Sequence, residues 1–296
     1  MALPPTETRL EASLGLDDMT TLERLTLMNE QDRIAVEAVG AVLPQLAELV
    51  EVAAGAVRAG GSIHYFGAGT SGRLGVLDAA ELLPTYNLPD DIVVGHIAGG
   101  ERALVHAVEN SEDSVVDGAR AAADLRPNDV AIGLAASGNT PYVGAALEAA
   151  RAQGAATALI SCNPHAALAP LADIEIVLRT GAEVVTGSTR LKAGSAQKMA
   201  LNGFSTALMI ALGRTWSNLM VSVVATNDKL RDRSIRIFRE ATGTEDAAAR
   251  ASLAAADGDL RVAIVAQVGG IDAGHARGVL ESTGFSVRDA LHRVQE

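Results

Sequence analysis

SIHYFGAGTSGR, residues 62–73, is the stretch that decides the fold. Its first five residues, 62–66, are mostly β-forming and apolar, which is typical of a buried strand. The strand runs directly into a glycine-rich turn, and a helical pattern follows over 71–83. Such a turn lets backbone N–H groups approach an anion at the N-terminus of the helix. We therefore predict a strand–helix unit whose connecting loop binds a phosphate group.

Similar strand-like runs follow the first one and alternate with helical patterns. Strands that alternate with helices form parallel sheets, so the chain is predicted to adopt an α/β fold with a central parallel sheet flanked by helices. The predicted strands are 62–66, 92–97, 130–134, 156–160 and 174–178, and the predicted helices between them lie near 71–83, 102–123 and 141–153.

Helical patterns also precede and follow the predicted sheet. Thr20 and Glu23 have the spacing of a capping box, so we expect a helix to begin there after a loose arm. A second helix, with Pro44 near its start, should run to about Arg58. The pattern is helical again from 191 to about 240, and glycines then separate short Ala-rich segments. These last segments are 245–256, 259–268, 272–282 and 286–295.

Composition and charge exclude several classes of protein. The 296 residues contain 24 Lys and Arg against 36 Asp and Glu, a formal net charge of −12, which argues against a nucleic-acid or anionic-membrane binder. The uncharged stretch over 199–213 is too short to cross a membrane. We expect no secretory signal at the start of the sequence, because no basic region precedes an apolar run there. With a single cysteine, Cys162, these features predict a globular cytoplasmic protein.

Two hydroxyl-rich loops are predicted to bind one small phosphate ester. The first contains Gly69, Thr70, Ser71 and Gly72, and the second, after the third strand, contains Ser137, Gly138, Asn139 and Thr140. Because parallel strands end at the same edge of a sheet, these loops should meet at one crevice. Ser161, after the fourth strand, should also line it. A dinucleotide is disfavoured, since the second strand ends without the acidic residue that binds a ribose.

Four longer stretches resemble the N-acetylmuramic acid 6-phosphate etherases, a family of the sugar-isomerase (SIS) fold superfamily. They are YFGAGTSGRLGVLDAAELLPTY (65–86), IAGGERALVHAVENSEDS (97–114), AASGNTPYV (135–143) and GAEVVTGSTRLKAGSAQK (181–198). The resemblance implies an SIS-type three-layer sandwich with a small, UBA-like helical domain at the C-terminus. It further implies a helical arm over 1–50, a phosphosugar-binding and catalytic domain over 51–240, and the helical domain over 241–296.

The resemblance also implies a reaction and a set of site residues. The reaction is cleavage of the D-lactyl ether of N-acetylmuramic acid 6-phosphate, giving N-acetylglucosamine 6-phosphate and D-lactate during cell-wall sugar recycling. Glu81 is expected to donate a proton to the departing lactate, and Glu112 is expected to act as the base. Glu183, Ser188 and Lys192 are expected near the sugar. A homodimer is implied, and neither a cofactor nor a metal is expected, because the histidines show no ligand spacing.

Two departures from the family pattern bear on these expectations. Asn139 stands where the pattern has Arg, which removes a positive charge from the second loop. The segment 82–86, LLPTY, stands where the pattern has CPPTF, and this change leaves Glu81 in place. We also expect Cys162 to be a packed thiol and Arg73 to pair with an acid such as Asp78.

Two alternatives use the same phosphate loops. A phosphosugar-sensing regulator would bind the ligand without cleaving it, as the related glucokinase regulatory protein does with two SIS domains. An aldose–ketose phosphosugar isomerase would share proton abstraction at C2 but would lack the acid that expels lactate. The presence of both Glu81 and Glu112 favours the etherase. A transcription regulator is disfavoured because residues 1–60 are acidic rather than basic.

Overall fold

The computed structural model describes residues 3–223, 225 and 227–296. Its strands are β1 (Ile63–Gly67), β2 (Val93–Ile97), β3 (Val130–Leu134), β4 (Ala156–Ser161) and β5 (Ile174–Val177). All neighbouring strands are parallel, in the order β2-β1-β3-β4-β5. The predicted α/β fold with a parallel sheet is confirmed, and each strand lies within about one residue of its predicted position.

Helices precede, connect and follow these strands. The first seven are α1 (Thr21–Gly40), α2 (Leu43–Arg58), α3 (Gly69–Ala80), α4 (Leu82–Tyr86), α5 (Arg102–Val105), α6 (Val115–Ala121) and α7 (Pro141–Ala152). The others are α8 (Lys192–Ala211), α9 (Asp228–Thr242), α10 (Asp246–Ala255), α11 (Leu260–Gly269), α12 (Ala273–Ser282) and α13 (Val287–Gln295). Short 3₁₀ turns occur at Pro5–Glu7, Glu11–Ser13, Ser111–Asp113 and Ala169–Leu171.

Alternating side chains of β1 pack against helices on opposite faces of the sheet. Tyr65 is buried against Phe204 of α8, with ring centroids 6.4 Å apart. Phe66 belongs instead to the apolar cluster that contains Tyr142 and Leu147 of α7. Successive residues of a strand point to opposite faces, so helices cover the sheet on both sides. The result is the three-layer arrangement that the resemblance implied.

Small residues in the strands allow the helices to approach closely. A methyl group on Gly133 of β3 would lie 2.7 Å from Cγ1 of Val143 in α7. All five residues of β3 are buried, as expected for the central strand of a parallel sheet covered on both faces. The low aromatic content of the chain, 3%, is therefore compatible with a dense core built mainly from Ala, Leu and Val.

The helix predictions are confirmed in most places and wrong in two. The capping box at Thr20 and Glu23 begins α1, and the four C-terminal segments form α10 to α13 within one residue of their predicted bounds. The predicted helix over 102–123 is instead α5, a 3₁₀ turn and α6. The helical pattern from 191 to 240 is interrupted between α8 and α9, where no helix is found among the described residues.

The chain divides into two compact units. One unit comprises the chain up to Ala79 together with Asp91–Ser205, and it contains the sheet. The other comprises Ala80–Asp90 and Thr206–Glu296, and its core gathers around Phe238, Leu260 and Ile264. These bounds differ from the three-part division that the resemblance implied, which stays a prediction.

No single described helix is long and apolar enough to cross a membrane. By length and composition alone, the pair α1 and α2, which is bent by 56°, passes the same test.

Candidate functional site

The carboxyl ends of three neighbouring strands carry the predicted ligand loops. β1 leads into α3 through the first loop, β3 leads into α7 through the second loop, and β4 ends at Ser161. The amide of Asn163, two residues after β4, donates a hydrogen bond of 2.9 Å to the carbonyl oxygen of Ser137. The second loop and the segment after β4 are therefore joined to each other, as their shared edge of the sheet predicts.

The first loop is tightly wound at the N-terminus of α3. A methyl group on Gly72 would lie 2.7 Å from the carbonyl oxygen of Gly67, so the turn needs glycine there. Ser71 is buried, and its hydroxyl donates to Oε1 of Gln197 at 2.8 Å. Thr70 approaches α8, because a methyl group on Gly194 would lie 3.4 Å from its Cγ2. The loop thus lies against the first two turns of α8.

Gln197 is a site residue that sequence analysis did not single out, although it lies in the 181–198 stretch. The carbonyl oxygen of Ile160 can only accept a hydrogen bond, so the Gln197 Nε2 group donates to it, at 3.5 Å. Its Oε1 therefore faces Ser71, and the single hydroxyl proton of Ser71 is engaged in this bond. The Ser71 side chain consequently fixes the loop, and the backbone N–H groups and Thr70 are left for an anion.

The second loop keeps its hydroxyl groups available. Gly138 has a φ of +71°, and a methyl group on it would lie 2.3 Å from Cβ of Ala166. Asn139 accepts a hydrogen bond from the Ala167 N–H at 3.0 Å, so its side chain organises the neighbouring loop. Thr140 occupies the N-cap position of α7 without a side-chain capping bond. Its hydroxyl and the positive end of the helix remain free for a phosphate.

Glu183 and Lys192 hold the start of α8 from inside the fold. Both are buried, with exposed fractions of 0% and 2%. The Glu183 carboxylate accepts from the N–H groups of Lys192 and Ala193, at 3.3 and 2.9 Å. The Lys192 ammonium donates to Oε1 of Gln31 in α1, at 2.6 Å. Burial raises the pKa of Glu183 and lowers the pKa of Lys192. Both side chains thus stabilise the start of α8, and their contact with a sugar stays a prediction.

Ser188 lies on the turn between Glu183 and α8. It is half-buried, and its N–H donates to the carbonyl oxygen of Val185 at 2.9 Å. Within the described chain, no hydrogen bond engages its hydroxyl, so this group is available to a ligand.

Glu112 lines a cavity of about 220 Å³ beside the first loop. Gly69 and Arg73 line the same cavity, and Glu112 itself is exposed on the turn Ser111–Asp113. The Arg73 guanidinium donates to the carbonyl oxygens of Leu104 and His106, each at 3.2 Å. This arginine therefore links the first loop to the segment that carries Glu112, and it brings the predicted base next to the predicted phosphate loop.

The expected pairing of Arg73 with Asp78 is wrong. Asp78 is buried and accepts hydrogen bonds from Tyr65, Asn202 and Ser205, at 3.0, 3.1 and 3.0 Å. Burial raises the pKa of Asp78 to about 6, against the opposing effect of these three donors. The carboxylate connects α3 to α8 and is satisfied without Arg73.

Glu81 lies in Ala80–Asp90, which belongs to the second compact unit. It is exposed, stands at the N-cap position of α4 and makes no side-chain capping bond. Of its altered neighbours, Leu82 is buried and Leu83 is exposed. The carboxylate is therefore open to a ligand, and its meeting with Glu112 stays a prediction.

Two features concern metal binding and thiol chemistry. Among the described residues, no group of three or more His, Cys, Asp or Glu side chains could hold a metal ion. His64 and His96 are hydrogen-bonded to each other at 2.9 Å, and burial lowers the pKa of His96 to about 4. Cys162 is buried, and burial raises the pKa of its thiol to about 12, so the prediction of a packed thiol is confirmed.

Comparisons with known proteins agree with this fold. Two family models match: the glucokinase regulatory protein N-terminal SIS domain over residues 45–151, and the SIS domain over 105–207. A solved structure from E. coli CFT073, in complex with A5P, has a TM-score of 0.50 and 18% identity, covering 68% of this chain and 97% of that chain. That likeness supports the SIS fold alone.

Two curated relatives are similar over most of their length. The N-acetylmuramic acid 6-phosphate etherase of Thermobifida fusca (strain YX) is 52% identical over 261 residues, which cover 88% of this chain and 86% of the relative. The enzyme of the same name from Serratia proteamaculans (strain 568) is 49% identical over 289 residues, which cover 97% of each chain.

Proposed function

Because the chain belongs to the N-acetylmuramic acid 6-phosphate etherase family, it is a carbon–oxygen lyase, and we propose that it performs the family's reaction by elimination and water addition. The substrate is N-acetylmuramic acid 6-phosphate, and the products are N-acetylglucosamine 6-phosphate and D-lactate. The observation that carries the mechanism is the cavity in which Glu112 faces the first phosphate loop.

The chemistry of the substrate defines what the site must supply. In the open-chain sugar, C1 is an aldehyde, which acidifies the hydrogen on C2, and the lactyl ether oxygen is attached to C3. A base removes the C2 proton, the C3–O bond breaks, and an acid protonates the departing lactyl oxygen. Water then adds its hydroxyl group at C3 and a proton returns to C2. Two carboxyl groups are sufficient for these proton transfers.

The two glutamates divide these roles in the proposed mechanism. Glu112 takes the C2 proton, since it lines the cavity next to the loop that would hold the 6-phosphate. Glu81 gives its proton to lactate, since its carboxyl is exposed and makes no capping bond. Thr70, Thr140 and the N-termini of α3 and α7 bind the phosphate, whose remote binding energy also assists catalysis.

A phosphosugar sensor is the second candidate, because the regulatory-protein model matches residues 45–151. The two functions separate in one experiment, in which the purified chain is incubated with N-acetylmuramic acid 6-phosphate and released D-lactate is measured. We expect release both with and without a chelator, because the chemistry needs only carboxyl groups. Binding without release would favour the sensor, and interconversion of aldose and ketose phosphates would favour an isomerase. Activity lost to the chelator and restored by one divalent ion would contradict the proposed mechanism.

Thr140→Val should weaken phosphate binding without destabilising the fold. Its hydroxyl makes no capping bond, so we expect KM for the phosphorylated sugar to rise about tenfold with an unchanged Tm. Thr20→Val is the matched control, because the Thr20 hydroxyl does cap α1 through the Glu23 N–H at 3.3 Å. That variant should lose about 1 kcal/mol of stability with unchanged KM. A wild-type KM in Thr140→Val would remove the second loop from the phosphate site.

Alanine variants of Ser71 and Ser137 distinguish the structural role of the first loop from the binding role of the second. Ser71→Ala breaks the bond to Gln197, so it should lower Tm as well as kcat/KM. Ser137→Ala should affect kcat/KM more than Tm, since its hydroxyl only accepts from the exposed Asn139 N–H at 3.2 Å. Steady-state kinetics and thermal melts of both variants measure the two effects separately. Two variants with wild-type kinetics would contradict the two-loop site.

The proposal also covers the compartment and the oligomeric state of the enzyme. We place it in the cytoplasm as a homodimer that binds neither nucleic acid nor membranes. The net charge of −12 supports the exclusion of polyanions, and the buried, unpaired Cys162 is consistent with a reducing compartment. Size-exclusion chromatography with light scattering would measure the oligomeric state.

A further inference from the structure

The N-terminal arm, expected from the sequence to be loose, lies against the turn that carries Ser188. The arm contains the 3₁₀ turn Pro5–Glu7, in which the Glu7 N–H donates to the carbonyl oxygen of Pro4 at 2.9 Å. This turn buries Thr6 completely, with an exposed fraction of 0%. The Gly187 N–H donates to the carbonyl oxygen of Thr6 at 3.1 Å. The arm is thus anchored one residue before Ser188.

Glu7 is the charged group that this anchoring places on the loop. Its carboxylate lies so close to Gly187 that a methyl group there would be 3.1 Å from Glu7 Oε2. Gly187 also has a φ of +78°, a conformation that favours glycine at this position. Within the described parts of the chain, Glu7 is exposed and its carboxylate has neither an ion-pair partner nor a hydrogen-bond donor.

The loop beneath Glu7 continues directly into the predicted phosphate site. The Thr189 N–H donates to the carbonyl oxygen of Gly187 at 2.9 Å, and the Gly194 N–H donates to the carbonyl oxygen of Thr189 at 2.9 Å. Gly194 in turn lies against Thr70 of the first loop. Three backbone hydrogen bonds and the side-chain contact of Thr70 with Gly194 therefore connect the arm to the N-terminus of α3. Glu7 is positioned on the same assembly of loops as Thr70 and Ser188.

We propose that the arm is a wall of the phosphosugar site, in which the Glu7 carboxylate accepts a hydrogen bond from the bound sugar. An acceptor-only carboxylate suits a sugar hydroxyl or the acetamido N–H, and it repels the phosphate, which orients the ligand with its phosphate toward the helix N-termini. The anchor at Thr6 keeps the carboxylate in place before the ligand arrives. This inference rests on the proposed function. It adds a specificity residue that lies outside the ranges matched by the two SIS family models, 45–151 and 105–207.

The test is a comparison of two glutamates on the arm. Glu7→Ala should raise KM for N-acetylmuramic acid 6-phosphate about tenfold with kcat within twofold, because one charge-assisted hydrogen bond is lost. Glu7→Gln should raise KM less, since its amide oxygen still accepts. Glu11→Ala is the matched control: Glu11 is also exposed and begins the next 3₁₀ turn, and its variant should keep the wild-type KM. Thermal melts of all three should coincide with that of the wild type.

The result separates this inference from the proposed function. If the wild-type chain releases D-lactate and Glu7→Ala has the same KM as Glu11→Ala, the arm is not part of the site and the inference is overturned. A KM increase in both variants would also overturn it, because the effect would then be one of general charge. If the wild type releases no D-lactate, the proposed function fails first. Binding of N-acetylglucosamine 6-phosphate, measured by calorimetry, then tests Glu7 without turnover, and equal affinity of wild type and Glu7→Ala would overturn the inference.

Discussion

Glu112→Gln is expected to abolish both D-lactate release and the exchange of the C2 hydrogen with deuterated solvent. The amide cannot accept the C2 proton, and no later step can occur without the resulting carbanion or enolate. General acid–base assistance contributes on the order of 10²–10⁴ in rate, so kcat should fall by that factor. Lactate release and mass-spectrometric deuterium incorporation measure the two steps separately.

The neighbouring carboxylate provides the control for this experiment. Asp113 occupies the same 3₁₀ turn and is also exposed, so Asp113→Asn removes one negative charge from the same turn. It should retain activity within a few-fold, because Asp113 does not line the cavity of Glu112. A Glu112→Gln enzyme that exchanged C2–H at the wild-type rate would mean that another group is the base.

Glu81→Gln is expected to stop lactate release while C2–H exchange continues. Proton abstraction precedes protonation of the lactyl oxygen, so loss of the acid blocks the second step only. The expected decrease in release is again on the order of 10²–10⁴. Deuterium should accumulate at C2 of recovered substrate, which is a signature that a merely destabilised enzyme would not produce.

Glu101→Gln is the matched control for Glu81. Glu101 also stands at the N-cap position of a short helix, α5, without a side-chain capping bond, and it is exposed. Its variant should release lactate at close to the wild-type rate. An active Glu81→Gln enzyme would contradict the assignment of the acid, and the isomerase would then gain weight, because that reaction needs no lactate-expelling group.

The secondary structure of the sheet was predictable because its signals are local. The β-rich runs are short and bounded by glycine turns, and β3 was predicted with the bounds it has in the structure. The prediction of one helix over 102–123 failed because the apparently continuous helical pattern is broken around Val108 and Ser114. At Ser114 the break is local, since its side chain caps α6 by accepting from the Asp117 N–H. The first break follows contacts that are distant in sequence. Arg73 holds the carbonyl oxygens of Leu104 and His106, and these contacts stabilise a non-helical path.

The site itself was predictable only in part. The hydroxyl-rich loops followed from strand ends that meet at one edge of a parallel sheet, and the two glutamates followed from family resemblance rather than from spacing. The resemblance implies that Glu183 and Lys192 lie near the sugar, and the structure adds that both are buried at the start of α8, where Glu183 accepts from backbone N–H groups. The sequence does not show whether a carboxylate accepts hydrogen bonds from a ligand or from the N–H groups at a helix N-terminus, because the same side chain can serve both.

The sequence by itself determined the parallel α/β fold, the loops that suit a phosphate ester and the reaction class, because glycine turns, strand patterns and long motifs are local properties of the chain. Only the tertiary structure decided which partners those residues have. Ser71 donates to Gln197 126 residues away, and the arm at Thr6 is anchored by Gly187. Such pairs depend on how helices and loops pack at one edge of the sheet, and residues so far apart carry no shared pattern that would reveal their contact.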